Sequence, residues 1–374
     1  MIYFDNSATT QTRQEIAEFI AKYSVDNFFN PSSVYAPAIQ VKKDLDGARQ
    51  SILKLLNASA FDSIIFTGSA TEANNLVLNG FARKDKKILI SSGEHPSIYE
   101  TAKNLKNIGF DVEFVDLNKD GTVNIEDLMQ RLTPNVGLVS IIHVSNETGA
   151  INDIDKISKL VKSKVPTAFL HCDGVQAFGK LKINVAKSNI DAYTISSHKI
   201  HGPKGVACLY VKNGLNIKPH IFGGGQEKGI RSGTENTANI IGFCMACEMM
   251  YKDFEAKRKH IHELKEYLLS SLANANLDYV LNSNSNCLDN IISLAFKGVR
   301  GEVLLHSLES YGICISTGSA CSSKTIGNRV LTAMKQNKDT MLGNIRVSFS
   351  EFNTKQEIDT FIKALKEQIP LIKH

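Results

Sequence analysis

The chain has 374 residues, 43% hydrophobic and 22% charged, a balance that predicts an ordinary globular protein and excludes a disordered one. Its net charge of +5 comes without any long basic run, so no direct nucleic-acid binding is expected. The longest apolar runs, such as VGLVSIIHV over 136–144, are shorter than the roughly 20 residues of a membrane-spanning helix, which predicts no membrane association.

The start, MIYFDNSATT, lacks the basic region and apolar core of a signal peptide and predicts a cytoplasmic protein. From there, short β-branched runs alternate with helical patterns: SIIFTG (63–68), KKILISS (86–92), VEFVDL (112–117), VGLVSIIHV (136–144), TAFLHCD (167–173), DAYTIS (191–196) and VACLYV (206–211). Strands separated by helices predict an α/β fold with a mainly parallel sheet covered on both faces. Only SHKIHGPKG separates the last two runs, too little for a crossover helix, so one antiparallel strand is expected among seven. From Asn236 to about Ala273 apolar residues recur at three- and four-residue steps, which predicts a helix connecting to a smaller α/β domain built from ISLAF, GICIST and NIRVSFS. Seven cysteines, at 172, 208, 244, 247, 287, 314 and 321, form no disulfide framework and predict reduced thiols. Cys244 and Cys247 sit on the apolar face of that helix, where they read as core thiols; no metal site is expected.

The stretch SSHKIHGPKG puts Lys199 at the end of a strand, where parallel α/β folds hold their ligands, and a sheltered lysine there can form a Schiff base with an aldehyde cofactor. Pyridoxal 5'-phosphate needs such an amine, an acid for its pyridine nitrogen and a cradle for its phosphate. Asp173 ends TAFLHCD and could supply the acid, although an aspartate at a strand end is by itself an ordinary turn former. Gly68-Ser69-Ala70-Thr71 links a strand to a helix and could offer backbone N–H groups to the phosphate, or be a plain helix cap. His95, after another strand, could stack on the ring or move protons.

Together GSATEANN, GEHPS, SNETGA, HCDGVQ, SSHKIHGPKG, GGGQEKGIRSGTEN, GEVLLHSLESYGICISTGSACSS and NIRVSFS resemble the cysteine desulfurases, fold type I pyridoxal-phosphate enzymes of the class V aminotransferase superfamily. The resemblance implies a large cofactor-binding domain over 13–258. It also implies a small domain made of 1–12 and 259–374 that carries a Cys321 loop. Lys199 would be the Schiff-base lysine, Asp173 the pyridine-nitrogen partner and His95 the residue on the ring. Ala70, Thr71, Ser196 and His198 would bind the phosphate, with Thr234 reaching across from the other subunit of a homodimer. Gln176 and Asn146 would bond the phenolic oxygen or the substrate, and Arg346 would clamp the amino-acid carboxylate. Cys321, in GSACSSK, would be the nucleophile that takes sulfur from L-cysteine, leaving L-alanine and a persulfide for a sulfur-acceptor protein. The loop resembles the branch of iron–sulfur cluster assembly and tRNA thiolation, so a cluster scaffold or a tRNA-thiolating enzyme is the acceptor implied.

Ser145, Gln11 and Tyr35 with its following Ala-Pro depart from the family pattern near the substrate side. They bear on fine specificity more than on reaction type. The alternatives are a selenocysteine lyase or an aminotransferase on the same scaffold, and a cofactor-binding protein without activity.

Overall fold

The structure, a computed structural model, describes residues 1–283, 286–318 and 328–373. A short strand, β1 (Ile2–Tyr3), precedes two helices, α1 (Gln14–Asp26) and α2 (Ala36–Leu55). Strands and helices then alternate as β2 (Ser63–Thr67), α3 (Ala70–Phe81), β3 (Lys87–Ser91), α4 (Pro96–Asn107), β4 (Val112–Val115), α5 (Ile125–Arg131), β5 (Val136–Ile142), α6 (Ile154–Lys164) and β6 (Phe169–Asp173). With β7 (Ala192–Ser196) and β8 (Ala207–Val211) they form one seven-stranded sheet in the order β2-β8-β7-β6-β5-β3-β4. β8 runs antiparallel to both neighbours and the remaining pairs are parallel, as the short link between β7 and β8 requires.

Helices cover both faces, so the central strands β6, β7 and β8 are buried at every residue and read as unbroken apolar runs rather than alternating ones. The two-residue period still sorts side chains between faces: Ile64 and Phe66 join a core with Ile52 and Phe243, while Ile65 joins another with Leu76 and Ile98.

The helical pattern after Asn236 is two helices, α7 (Thr237–Tyr251) and α8 (Phe254–Asn274), not one. Asp253 adopts φ +54°, a left-handed conformation that breaks the hydrogen-bond ladder between them. Cys244 and Cys247 are buried in α7, and burial pushes both thiols up, Cys244 to about 11.

The remainder comprises β9 (Tyr279–Leu281), β10 (Ile291–Phe296), α9 (Gly301–Glu309), β11 (Ile313–Cys314), α10 (Arg329–Ala333), α11 (Lys338–Leu342), β12 (Asn344–Ser348) and α12 (Lys355–Ile372). β12, β10 and β9 form an antiparallel sheet, and β11 pairs with β1. Phe4 is wedged edge-on between Phe349 and Phe361, at 5.2 and 5.7 Å, in a separate core with Leu268, Phe296 and Leu365. The first residues of the chain are thereby fixed to its last third. Among the described residues no helix is long and apolar enough to cross a membrane.

Candidate active site

The carboxyl ends of β2, β3, β5, β6 and β7 lie along one edge of the sheet, and the residues singled out from sequence follow them. Lys199 closes a single 3-10 turn, Ser197–Lys199, directly after β7. Its Nζ donates to the carbonyls of Ser7 and Ala8, at 2.5 and 2.7 Å. Burial, and then the charge of Arg346, brings the Lys199 pKa down to about 8. The N-terminal segment is tied to this turn, since the Thr10 amide and hydroxyl both donate to the His198 carbonyl at 2.9 Å. Gly202 answers for the Gly-Pro step: a Cβ there would lie 2.2 Å from Ser197 Oγ, so only glycine lets the chain fold back under the turn.

Asp173, at the end of β6, is 3% exposed. Its Oδ2 accepts from Asn74 Nδ2 at 2.9 Å and its Oδ1 from the Val175 amide at 3.0 Å, and among the described residues no lysine or arginine forms an ion pair with it. Asn74, fully buried in α3, also donates to Ser97 Oγ at 2.9 Å. Ser97 in turn meets His95, which caps α4: the Ser97 amide donates to His95 Nδ1 at 3.2 Å, and the hydroxyl lies 2.8 Å from the same nitrogen. Nδ1 therefore carries no proton, and Nε2 holds the one on a neutral ring. Burial foremost pushes the His95 pKa down, which keeps the ring neutral. Beside it Glu94 is fully buried, its Oε1 taking the Ile142 amide at 2.5 Å, and burial with the nearby Asp173 pushes its carboxyl well up.

Sequence reasoning assigned no role to Asn74, Ser97 or Glu94. A signal existed for Asn74, which stands one helical turn beyond the Ala70-Thr71 helix start and so faces the same cleft.

The start of α3 presents first-turn N–H groups that have no acceptor within the helix. Ser69 caps it by accepting from the Glu72 amide at 3.1 Å; Ala70 and Thr71 follow, with Thr71 exposed. Glu72 also ties down the Gly-rich loop, pairing with Arg231 Nε at 2.7 Å while accepting from the Gly68 amide at 2.8 Å. Ser196 is buried, and His198 Nδ1 lies 3.2 Å from Thr9 Oγ1 with its pKa brought down to about 4 by burial and neighbouring lysines. Thr234 is exposed on the Gly-rich loop, and among the described residues no hydrogen bond joins it to the cleft of its own chain.

Arg346, on β12 and 5% exposed, pairs with Asp5 Oδ1 at 2.8 Å and donates to the Asn146 carbonyl at 2.8 Å. Its Nε is buried and among the described residues has no hydrogen-bond partner. A guanidinium has five N–H groups, so these contacts leave donors for a carboxylate. Gln176 is 3% exposed and donates to the Ser7 carbonyl at 3.0 Å. Asn146 donates to Glu147 Oε1 at 3.0 Å, and Glu147 Oε2 accepts from Asn328 Nδ2 at 2.8 Å. Gly318 is packed on that same oxygen, which a Cβ would approach to 2.3 Å. Glu147 thus holds both flanks of the segment with Cys321, a residue that itself lies outside the described ones.

A partly buried amine of lowered pKa, a buried carboxylate with only neutral partners and a helix N-terminus whose first turn Ser69 caps at one amide, all on one sheet edge, fit an aldehyde cofactor with a pyridine nitrogen and a phosphate. Asp173 is the sharpest of these fits, because a buried carboxylate without a cation calls for one, and a protonated pyridine nitrogen is one.

Comparison with known proteins agrees with this chemistry. The class-V aminotransferase family model matches residues 2–361. "Cysteine desulfurase IscS 1" of Archaeoglobus fulgidus is 36% identical over 98% of this chain and 96% of its own length, and "Cysteine desulfurase IscS" of Clostridium botulinum is 37% identical over 98% and 94%. Among solved structures, a NifS-like protein superposes with a TM-score of 0.93 at 33% identity, covering 99% of both chains. A second, described as SspA in complex with cysteine, gives 0.84 at 29% identity over 95% of this chain and 100% of that one. The chain belongs to the class-V aminotransferase family and, within it, to the cysteine desulfurases.

Proposed function

We propose that this protein is an L-cysteine desulfurase that binds pyridoxal 5'-phosphate through Lys199. The observation that carries the reading is the cleft itself, in which the Lys199 amine, the cation-free Asp173 carboxylate and the spare donors of Arg346 converge. Lys199 would hold the cofactor covalently, Asp173 its pyridine nitrogen, His95 its ring, and Ala70, Thr71, Ser196 and His198 its phosphate. When bound, the cofactor supplies an electron sink conjugated to the substrate's α-carbon.

Arg346 binds and orients the amino-acid carboxylate, and Asp5 and the Asn146 carbonyl keep its guanidinium from swinging away. Gln176 would donate to the cofactor's phenolic oxygen, and Asn146 would add an amide contact on the substrate side. The Lys199 amine, with a pKa near 8, is suited to take and return a proton at the α-carbon around neutral pH. Neutral His95 can donate from Nε2 because Ser97 holds Nδ1 as an acceptor. The Cys321 thiolate attacks the substrate sulfur: the C–S bond breaks with its electron pair going to carbon, a proton completes L-alanine, and the new S–S bond leaves a persulfide on Cys321. Placing that residue at the cleft is consistent with its flanks, Gly318 and Asn328, both resting on Glu147 next to Asn146.

The core around Phe4, Leu268, Phe296 and Phe361 supports a small domain of residues 1–12 and 259–374 beside a large one over 13–258. Exposed Phe28, Val34, Tyr35 and Phe222, at 72, 90, 51 and 80%, are apolar surface suited to a second copy of the chain, whose Thr234 would complete the phosphate site. The persulfide would pass to an acceptor protein, a cluster scaffold or a tRNA-thiolating enzyme.

The test is alanine and sulfide production from L-cysteine with a thiol reductant, at equal cofactor occupancy, for wild type and Cys321→Ala. Equimolar products, with sulfide falling at least about 100-fold in the variant, support the reading. Unchanged sulfide in the variant points to another lyase or a transaminase.

A further inference from the structure

Lys180 has no place among the cofactor and substrate contacts above, yet a cavity of about 40 Å³ behind the cleft is lined by both Lys180 and Lys199. The Lys180 Nζ donates to Gln176 Oε1 at 3.0 Å. Gln176 Nε2 donates to the Ser7 carbonyl at 3.0 Å, the same oxygen that receives the Lys199 Nζ at 2.5 Å. Successive turns after Gly174, with Ala177 and Phe178 amides on the Gly174 carbonyl and the Lys180 amide on that of Ala177, bring the two side chains to one side.

An amide end can be turned over, exchanging its two N–H donors for carbonyl lone pairs with almost no change of shape. What fixes it is the polarity of its partners. Both charge states of an amine can donate, and the protonated one can do nothing else. Lys180, a donor, and the Ser7 carbonyl, which can only accept, together hold Oε1 toward Lys180 and Nε2 toward Ser7, leaving the second hydrogen of Nε2 for a ligand.

We propose that Lys180 is a positioning residue: it holds the Gln176 amide in the orientation that offers an N–H, not a carbonyl oxygen, to the phenolic oxygen of bound pyridoxal phosphate. This rests on the cofactor reading above, in which Gln176 faces that oxygen. The charged and titratable groups that line the two cavities beside Lys180 are Lys199 and His201 from the turn after β7, Lys257 and Arg258 from α8, and Cys287, Asp289 and Glu351 from the last third of the chain. None of them replaces its hydrogen bond to Gln176.

The experiment titrates purified holoprotein with pH while following the long-wavelength absorbance of the Lys199-linked cofactor. It compares wild type, Lys180→Met and Lys180→Arg, each with Gln176 intact and with Gln176→Ala. Losing the amide N–H strengthens the phenolic oxygen's hold on the Schiff-base proton, so Lys180→Met raises the midpoint by about one pH unit. Lys180→Arg returns it toward wild type, and neither substitution moves it once Gln176 is alanine. An equal shift in both backgrounds, meaning that the charge acts directly, overturns the proposal, as does no shift in either. If Lys180→Met does not fold, Lys180→Gln takes its place, since a glutamine amide can pair with either end of Gln176 and so releases the lock. Wild-type protein that shows no such band overturns the cofactor reading itself, before Lys180 comes into question.

Discussion

Arg346 reaches the cleft with its Nη groups engaged by Asp5 and Asn146 and its Nε without an acceptor, so part of its hydrogen-bonding capacity is reserved. Replacing it by lysine keeps a charge but loses the fork. Arg346→Lys is expected to raise KM for L-cysteine by about tenfold or more, with a smaller change in kcat; an unchanged KM in steady-state kinetics would place the substrate carboxylate elsewhere. Lys199, at about 8 rather than the 10.5 of an ordinary lysine, should give an apoprotein whose rate of cofactor uptake rises about tenfold per pH unit and levels off near pH 8. Stopped-flow absorbance between pH 6 and 10 checks this, and a rate still climbing at pH 10 would contradict it. At this scale Lys199 and Asp173 were legible because a reactive side chain at a strand end is a local feature. Asn74, Ser97 and Glu94 were not, because each has its meaning through a partner far away in sequence, such as Asp173, 99 residues beyond Asn74; Lys180 stands only four residues from Gln176, but nothing local shows that Gln176 also reaches Ser7.

Among the elements, the Gly-rich loop is held less by its glycines than by two acids, buried Glu227 and half-buried Glu72. Glu227, 5% exposed and at φ +50°, takes a forked pair from Arg49 at 2.7 and 2.8 Å and the Phe66 amide at 3.0 Å, while Glu72 holds Arg231. Arg49→Ala strands the Glu227 carboxylate and should cost about 3 kcal/mol, read from denaturant midpoints. The link after β6 is equally constrained: a Cβ on Gly174 would lie 1.9 Å from the Tyr193 ring, whose hydroxyl lies 2.8 Å from His143 Nδ1. Gly174→Ala is expected to destabilise by about 3 kcal/mol or more in the same measurement, and a variant as stable as wild type would show that the ring can yield. The strands were readable from their β-branched runs, and the reversed β8 from the length of its link. The break between α7 and α8 was not, since apolar periodicity continues across it and the left-handed Asp253 is a backbone event with no strong sequence mark.

For the whole molecule, acid is the predicted weakness. His171 is fully buried between Ser140 and Thr194 with its pKa near 3, and burial brings His143, His198 and His201 to about 4. Their unfolded values lie near 6.5, so below that pH the unfolded chain binds more protons than the folded one. The stability they support is complete above about pH 6.5 and is lost as pH falls toward 4, with a slope of about 1.4 kcal/mol per pH unit from His171 alone. Urea midpoints at pH 7, 6 and 5 should fall in that order. The three cores and the return of Phe4 to the last third of the chain were only partly legible, because long-range pairing leaves little trace in local periodicity. What brings these scales together is a sheet edge that desolvates one amine beside one carboxylate, with a second amine, Lys180, brought to about 7 by burial and by Lys199. The direct test is borohydride reduction of the protein loaded with pyridoxal phosphate, followed by mass mapping of the pyridoxyl group. The label is expected on Lys199, with none in Lys199→Ala; a label on Lys180, or none on the wild type, would overturn the assignment of the Schiff-base lysine.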